Sequence, residues 1–224
     1  MPYNLDVFSF NEYKQDGSCD NEGVTVPAEM LGDEVVSEGI TFHIGPRQNR
    51  KRNAVACEGQ KIALPKGDFN RLYLLAMSVN GVGEGTFAVD GRESFLRIQD
   101  WSGYLGSWDN RVFQGAVAEV AFSIKNPLER ISAGFIKRDP LAWFCSHRHM
   151  RDGSDQVYTY CYFFKYRLDV PPGAKTLTLP NNPRIRLLAV TVARNENDVT
   201  QAAKPLYDDF TDRAPIVLRS ASAQ

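Results

Sequence analysis

The first candidate for chemistry is a pair of histidines, His147 and His149, in the segment AWFCSHRH at residues 142–149. Side chains two residues apart on a β-strand point to the same face, so both imidazoles can chelate a single metal ion. Asp152 and Asp155 follow closely and can add oxygen ligands. We assign no metal and keep the pair as a candidate. The alternatives are a polar cluster that faces a sugar or another ligand, and histidines that only form hydrogen bonds at the rim or in the core of a sandwich.

Cys145 beside His147 suggests a second kind of site, a nucleophile with its base. Two residues along a strand span about 6.6 Å, so same-face neighbours are not posed for proton transfer. The same step keeps Cys145 out of a compact metal site with both histidines. None of the four cysteines forms a CxxC pair, so no structural zinc site is predicted. Those at positions 57, 145 and 161 lie in apolar runs and are predicted to be small buried hydrophobic residues.

A third candidate is the Gly-rich segment RIQDWSGYLGSWDNR, residues 97–111, which holds two of the three tryptophans. Rings beside carboxylates and an arginine are the groups that carbohydrate sites use. Together with the histidines, this segment gives the predicted carbohydrate-binding residues: Asp100, Trp101, Tyr104, Trp108, Asp109, Arg111, His147 and His149. The alternative is a loop that plugs one end of a sandwich with buried indoles.

An aromatic stripe follows in the next predicted strand, where Tyr158, Tyr160, Tyr162, Phe164 and Tyr166 alternate with other residues. Tyrosine rings can stack on the C–H faces of sugars while their hydroxyls bond sugar oxygens. Aromatic residues also fill sandwich cores and form cross-strand pairs. We favour the packing interpretation for this stripe.

No catalytic residue is assigned. Glycoside hydrolysis needs two carboxylates that flank the scissile bond, and Asp100 with Asp109 would be one such pair. However, the chain has 27 acidic residues and therefore offers many pairs. It contains no GxSxG, phosphate-binding-loop or HExxH motif, and no cofactor is predicted.

The elements that must position these residues are strands. Helical periodicity is nearly absent, whereas short apolar runs recur between turn signals. The Asp90-Gly91 pair between GTFAV and RESFLRI is a strong hairpin signal, because both turn positions need positive φ. We predict an all-β fold, a β-sandwich or jelly roll of about ten antiparallel strands with little helix. One domain is predicted over residues 1–198, with an extended tail over 199–224.

Charge and hydropathy argue against nucleic acid and membranes as binding partners. A net charge of −1 with a pI near 6.3 offers no basic field for nucleic acid or anionic lipid. No stretch approaches the roughly 18 apolar residues of a membrane span, and the N-terminus lacks the pattern of a signal peptide. The expectation is a cytosolic chain or a fragment of a larger protein, and the localisation is left open.

Seven motifs together resemble a known family: GITFHIG, NAVACEGQKIALP, LYLLAMSVNG, QDWSGYLGSWD, AWFCSHRH, YFFKYRLDVPPGAKTLTLPNN and IRLLAVTV. Over residues 39–193 the pattern resembles the C-terminal β-sandwich domain of bacterial proteins related to glycoside hydrolase family 38, the α-mannosidases. It is also similar to the galactose-binding-like jelly rolls attached to many glycosidases. In that family the catalytic zinc and nucleophile belong to an N-terminal α/β domain that nothing in this chain matches.

The resemblance implies an accessory, non-catalytic module of an α-mannosidase-like glycoside hydrolase. Such a module would bind carbohydrate, with mannosides as the first ligands to consider, or pack on a catalytic domain in the same chain or a partner chain. Two alternatives remain open. One is a free-standing carbohydrate-active enzyme that depends on a metal or on carboxylates, and the other is a structural or protein-interaction sandwich.

Overall fold

A computed structural model of the protein describes residues 1–107, 135–137, 139–198 and 200–201. Its strands are β1 Phe8–Ser9, β2 Val26–Pro27, β3 Glu34–Ser37, β4 Ile40–His43, β5 Val55–Glu58, β6 Lys61–Ala63, β7 Arg71–Ser78, β8 Gly83–Val89, β9 Arg92–Ile98, β10 Gly106–Ser107, β11 Phe135–Ile136, β12 Leu141–His149, β13 Asp155–Asp169, β14 Thr176–Thr178 and β15 Asn181–Ala193. Two short 3₁₀ helices, Asn11–Tyr13 and Ala28–Met30, complete the elements. No helix within these described ranges is long and apolar enough to cross a membrane.

The central layer is a five-stranded antiparallel sheet with the order β12-β13-β7-β15-β5. Its middle strand β7 reads RLYLLAMS and is buried along almost its whole length. Alternate residues of β7 face opposite cores, with Tyr73 and Leu75 on one side and Leu72 and Leu74 on the other. Burial on both faces explains why this strand is a continuous apolar run rather than an alternating one.

A layer lies on each face of the central sheet. A four-stranded sheet with the order β6-β14-β8-β9 encloses one core, to which it contributes Phe87 and Leu177. The β3–β4 hairpin and the N-terminal segment enclose the other core through side chains such as Val7 and Phe42. The architecture is therefore three-layered, with two apolar cores that share the central sheet.

The chain divides into two compact units, Met1–Gly103 with Asp139–Ala202, and Tyr104–Arg138 with Ala203–Gln224. The layers above belong to the first unit. In the second unit the structure describes the antiparallel pair β10–β11, in which Leu105 accepts a hydrogen bond from the backbone amide of Lys137. The predicted domain over 1–198 with a tail over 199–224 stays a prediction.

The predicted all-β fold is confirmed. The Asp90-Gly91 turn has positive φ at both positions, 46° and 86°, and joins β8 to β9 as predicted. The apolar run AVAEVAFS at residues 116–123, for which the sequence pattern also predicts a strand, lies outside the described residues. Among the described strands, the two-residue strands β1 and β2 depart from the prediction of an antiparallel fold, because they run parallel. The isolated bridge between Ser78 and Asp100 is also parallel.

Candidate functional site

Strands β12 and β13 form a long ribbon that carries the two candidate histidines, Cys145 and the aromatic stripe. Cys145 lies opposite Cys161 and His147 lies opposite Val157, so a step of two residues on β12 faces a step of four on β13. Such an irregularity is a β-bulge, which bends the strand and redirects its side chains. Tyr158 lies within the bulge and has a φ of 60°, a conformation that is unusual for a large aromatic residue.

A histidine cluster lies at the far end of this ribbon, and we define it as Glu29, His147 and His149. The candidate ligand atoms of the three side chains all lie within 4.8 Å of one another. The Nε2 atom of His149 is 3.2 Å from Oε1 of Glu29, and the two imidazole centroids are 5.5 Å apart. The predicted shared face of the two histidines is therefore present.

Glu29 reaches this place from a distant part of the sequence. It lies in the 3₁₀ helix Ala28–Met30, directly after Pro27, and this helix contacts β12 through Trp143. The indole Nε1 of Trp143 donates to the carbonyl of Met30 at 3.3 Å, and its ring stacks on Phe163 with a centroid distance of 4.5 Å. The sequence pattern did not reveal Glu29, since 118 positions separate it from His147.

His149 is fully buried and is anchored on its other side. Its Nδ1 atom is 2.8 Å from the hydroxyl of Ser9, which in turn is hydrogen-bonded to the hydroxyl of Thr25. Thr25 and His149 also exchange two backbone hydrogen bonds, of 3.0 and 3.1 Å. Nε2 has no partner with hydrogen-bond geometry. The His149 ring is thus held in place through Nδ1, while its Nε2 atom, on the side of Glu29, has no hydrogen-bond partner.

Charge around the cluster comes from both strands of the ribbon and from the N-terminal segment. Burial lowers the pKa of His149, against the opposite influence of Glu29 and Asp155. Asp155 lies 3.6 Å from Nε2 of His149 and is bonded at 2.6 Å by the ammonium of Lys14. The hydrogen bond from Lys14 lowers the pKa of the Asp155 carboxyl. Asp152, the other predicted oxygen donor, instead accepts hydrogen bonds from Ser154.

A second feature of the ribbon is an aromatic surface, which we define as Phe144, Tyr158 and Tyr160. Their exposed fractions are 58%, 84% and 37%. The rings of Phe144 and Tyr160 lie 6.5 Å apart, and Tyr160 stacks on Tyr162 at 6.4 Å. The predicted stripe on β13 is therefore split. Its C-terminal members, Tyr162, Phe164 and Tyr166, are buried as packing predicts, whereas its N-terminal members are exposed.

The predicted sugar-binding residues of the 97–111 segment differ in their exposure to solvent. Trp101 is only 2% exposed, and the guanidinium of Arg148 lies 5.8 Å from its ring, so this ring offers no open face to a sugar. Asp100 accepts hydrogen bonds from the backbone amides of Gly81 and Ser102. Tyr104 is exposed. Trp108, Asp109 and Arg111 lie outside the described residues.

All four cysteines are buried and free of disulfides. Cys145 and Cys161 face each other across the ribbon, and both thiols lie near the carbonyl oxygen of His147, at 3.1 and 3.5 Å. Burial raises the pKa of Cys161 well above its ordinary value. The prediction that Cys57, Cys145 and Cys161 act as small buried hydrophobic residues is confirmed.

Two grooves in the described part of the chain are lined largely by polar residues. One groove of about 490 Å³ is lined by Tyr13, Gln15 and Arg50, among other polar residues. Another, of about 300 Å³, includes Asn4, Arg184 and Arg186. Deep pockets of mainly apolar lining are typical of small-molecule enzyme sites, so these grooves do not by themselves indicate a catalytic centre.

The layers and the ribbon define the class of this protein as a β-sandwich domain. The comparison with protein families makes this specific, because residues 1–196 match the AziU2-like beta-sandwich domain. The chain belongs to that family. Among curated proteins no significant match was found. The family match supports the β-sandwich part of the expected resemblance and carries no link to the α-mannosidases.

Proposed function

We propose that the chain is a non-catalytic binding module whose ligand-binding surface is the aromatic surface on β12 and β13. The observation that carries this proposal is the joint exposure of Phe144, Tyr158 and Tyr160 on one ribbon. Contiguous exposed apolar groups on soluble proteins usually mark an interaction site. Covering such rings recovers about 25 cal/mol per Å² of apolar area.

Carbohydrate is the ligand class that we propose for this surface. Pyranose rings present flat C–H faces that stack on aromatic rings, and tyrosine hydroxyls can bond sugar oxygens. Polar groups lie at the same end of the ribbon, where Arg148 donates to Gln156 at 2.6 Å. The resemblance to domains of α-mannosidase-like proteins supports a glycoside hydrolase as the enzyme that this module serves, so mannosides are the first ligands to test.

A second candidate is packing on another protein domain. The same ribbon exposes aliphatic side chains, with Val157 61% and Leu141 43% exposed, and aliphatic groups contribute to protein interfaces more than to sugar stacking. Under this second candidate function, a catalytic domain in the same chain or a partner chain covers the aromatic surface. The two candidates differ in whether a free sugar binds.

The test is calorimetric titration of the chain with mannosides and, in parallel, with other neutral oligosaccharides. We expect saturable binding that Tyr160→Ala and Phe144→Ala each weaken by about fivefold or more, since one stacked ring contributes about 1 kcal/mol or more. Phe95→Ala is the matched control, because Phe95 is 62% exposed but lies on β9 in the other sheet.

Each outcome decides between the candidates. Binding that is lost in both ribbon variants and retained in Phe95→Ala supports a carbohydrate module. Binding that is equal in all variants would place the sugar elsewhere and contradict the proposed surface. Absence of binding to every glycan would contradict the carbohydrate proposal and leave the protein-packing candidate.

A further inference from the structure

A buried imidazole nitrogen without a hydrogen-bond partner is the starting observation. The Nε2 atom of His149 is completely shielded from solvent, yet none of its neighbours meets it with hydrogen-bond geometry. An unsatisfied buried polar atom destabilises the folded state, so native structures rarely retain one without a reason. A carboxylate oxygen of Glu29 lies 3.2 Å from this nitrogen, and a ring nitrogen of His147 belongs to the same cluster of candidate ligand atoms.

The spacing of these groups is that of ligands around one ion. Zinc binds histidine nitrogen and carboxylate oxygen at about 2.0–2.2 Å in tetrahedral geometry, which separates neighbouring ligand atoms by about 3.3 Å. Nε2 of His149 and Oε1 of Glu29 are 3.2 Å apart. All three candidate ligand atoms lie within 4.8 Å of one another, so small side-chain rotations suffice to complete the set. An ion placed between them would satisfy the unpartnered nitrogen.

The surroundings also match those of a metal-ligating histidine. Such a residue almost always uses its second ring nitrogen in a hydrogen bond that fixes its tautomer and orientation. The Ser9 hydroxyl fills this role for His149 at 2.8 Å, and the Thr25 hydroxyl supports Ser9. A proton on Nδ1 that is donated to Ser9 leaves the Nε2 lone pair free for an ion.

The donor set determines which ions fit. Two imidazoles and one carboxylate suit zinc, iron, cobalt or nickel, whereas magnesium and calcium prefer sites made of oxygen atoms. We propose that Glu29, His147 and His149 bind one divalent transition-metal ion. This site is independent of the proposed carbohydrate surface and needs no bound sugar.

Metal binding would cross-link two segments of the fold and stabilise the folded state. The ion would join the 3₁₀ helix that carries Glu29 to the end of β12, two segments that are 118 positions apart in the sequence, counted from Glu29 to His147. An ion that binds only the folded state stabilises that state in proportion to the logarithm of its concentration over Kd. Lys14 lies beside the site on Asp155, so its positive charge weakens the attraction for a cation.

The experiment starts from the 224-residue chain, which is treated with a chelator to remove bound metal and then transferred into chelator-free buffer. Calorimetry with ZnCl₂ measures stoichiometry and affinity, and CoCl₂ gives visible ligand-field bands that report nitrogen and oxygen ligation. We expect one equivalent of either ion, a rise in Tm with zinc, and no binding of MgCl₂ at the same concentrations.

The variants separate the site from general surface binding. His147→Ala and Glu29→Gln should each weaken zinc binding by at least about tenfold, while Lys14→Met should strengthen it. His43→Ala is the matched control, because His43 is the remaining histidine and is exposed, paired with Glu34 at 3.0 Å. Far-UV circular dichroism confirms that each variant is folded. His147 and Glu29 are chosen over the fully buried His149 for that reason.

Two results would overturn the inference. One is a wild-type chain that binds neither zinc nor cobalt in the micromolar range. The other is a His147→Ala variant that binds zinc as tightly as His43→Ala does, which would mean that the metal binds elsewhere.

Discussion

His149 shows how far single residues could be predicted from the sequence. Period-two alternation correctly placed His147 and His149 on one face, because that property is local to a strand. The partners Glu29 and Ser9 could not be predicted, since tertiary packing brings them in from positions more than 100 residues away. The burial of Trp101 could not be predicted from the sequence either. Its position under Arg148 depends on how a loop meets the ribbon and not on residue type.

The first prediction at this scale concerns the pH dependence of stability. Burial lowers the pKa of His149 in the folded state, while in the unfolded chain it returns to about 6.5. Between these two values the unfolded state binds more protons, so the free energy of unfolding falls as the pH decreases. The contribution of His149 is therefore complete above about pH 6.5 and is lost progressively below it.

Denaturant titrations of metal-free protein between about pH 8 and pH 5 measure this effect. Asp6 contributes with the opposite sign, because burial raises its pKa to about 6 and its carboxyl favours the folded state only when protonated. The comparison is therefore made with His149→Asn, in which Asp6 is unchanged. We expect the stability difference between wild type and variant to shrink as the pH falls through 6.5. Parallel curves would contradict the assignment.

Turns and bulges are the features that matter at the scale of elements. The hairpin at Asp90-Gly91 could be predicted from these two residues, because this type of turn requires positive φ at both positions. The bulge on β13 could not be predicted, since no residue type in the run VYTYCYFF indicates that Tyr158 adopts a φ of 60°. Tyr158 and Tyr160, the exposed members of the aromatic stripe, lie within that bulge, and Tyr160 still stacks on the buried Tyr162. Alternation alone therefore did not predict which members of the stripe are exposed.

The prediction for elements is that Gly91→Ala lowers the free energy of unfolding by about 1–2 kcal/mol, the cost of a left-handed conformation for a residue with a Cβ. Gly91 has a φ of 86° and open space around it, so no steric clash adds to that cost. Gly67→Ala is the control, because Gly67 lies outside the left-handed region and its Cβ would meet only ordinary contacts. Equal stabilities of the two variants in urea would contradict this account of the turn.

At the scale of the whole molecule, the three-layer arrangement rests on a central sheet that is buried on both faces. Its continuous apolar strands could be predicted as core from hydropathy. Their order, β12-β13-β7-β15-β5, could not, because several antiparallel orders would bury the same residues. A charged contact joins two of the layers, where the buried ammonium of Lys165 on β13 pairs with Glu38 in the β3–β4 turn and lies 5.7 Å from the ring of Tyr73.

The prediction at this scale is that Glu38→Gln destabilises the protein by about 1–2 kcal/mol, because a buried ammonium loses its charged partner. Asp68→Asn removes the exposed pair between Arg194 and Asp68 and should cost less than about 0.5 kcal/mol. Thermal and urea unfolding measure both. A Glu38→Gln variant as stable as Asp68→Asn would show that the contact between layers contributes little.

We propose that this β-sandwich domain binds carbohydrate on the aromatic surface of β12 and β13. The most direct test is to follow the aromatic resonances of isotope-labelled protein by NMR while a mannoside is added. We predict concentration-dependent shifts of Phe144, Tyr158 and Tyr160, with the resonances of Phe95 and of Tyr13 in the polar groove unchanged. Unchanged ribbon signals at saturating sugar, or shifts confined to Tyr13, would contradict it.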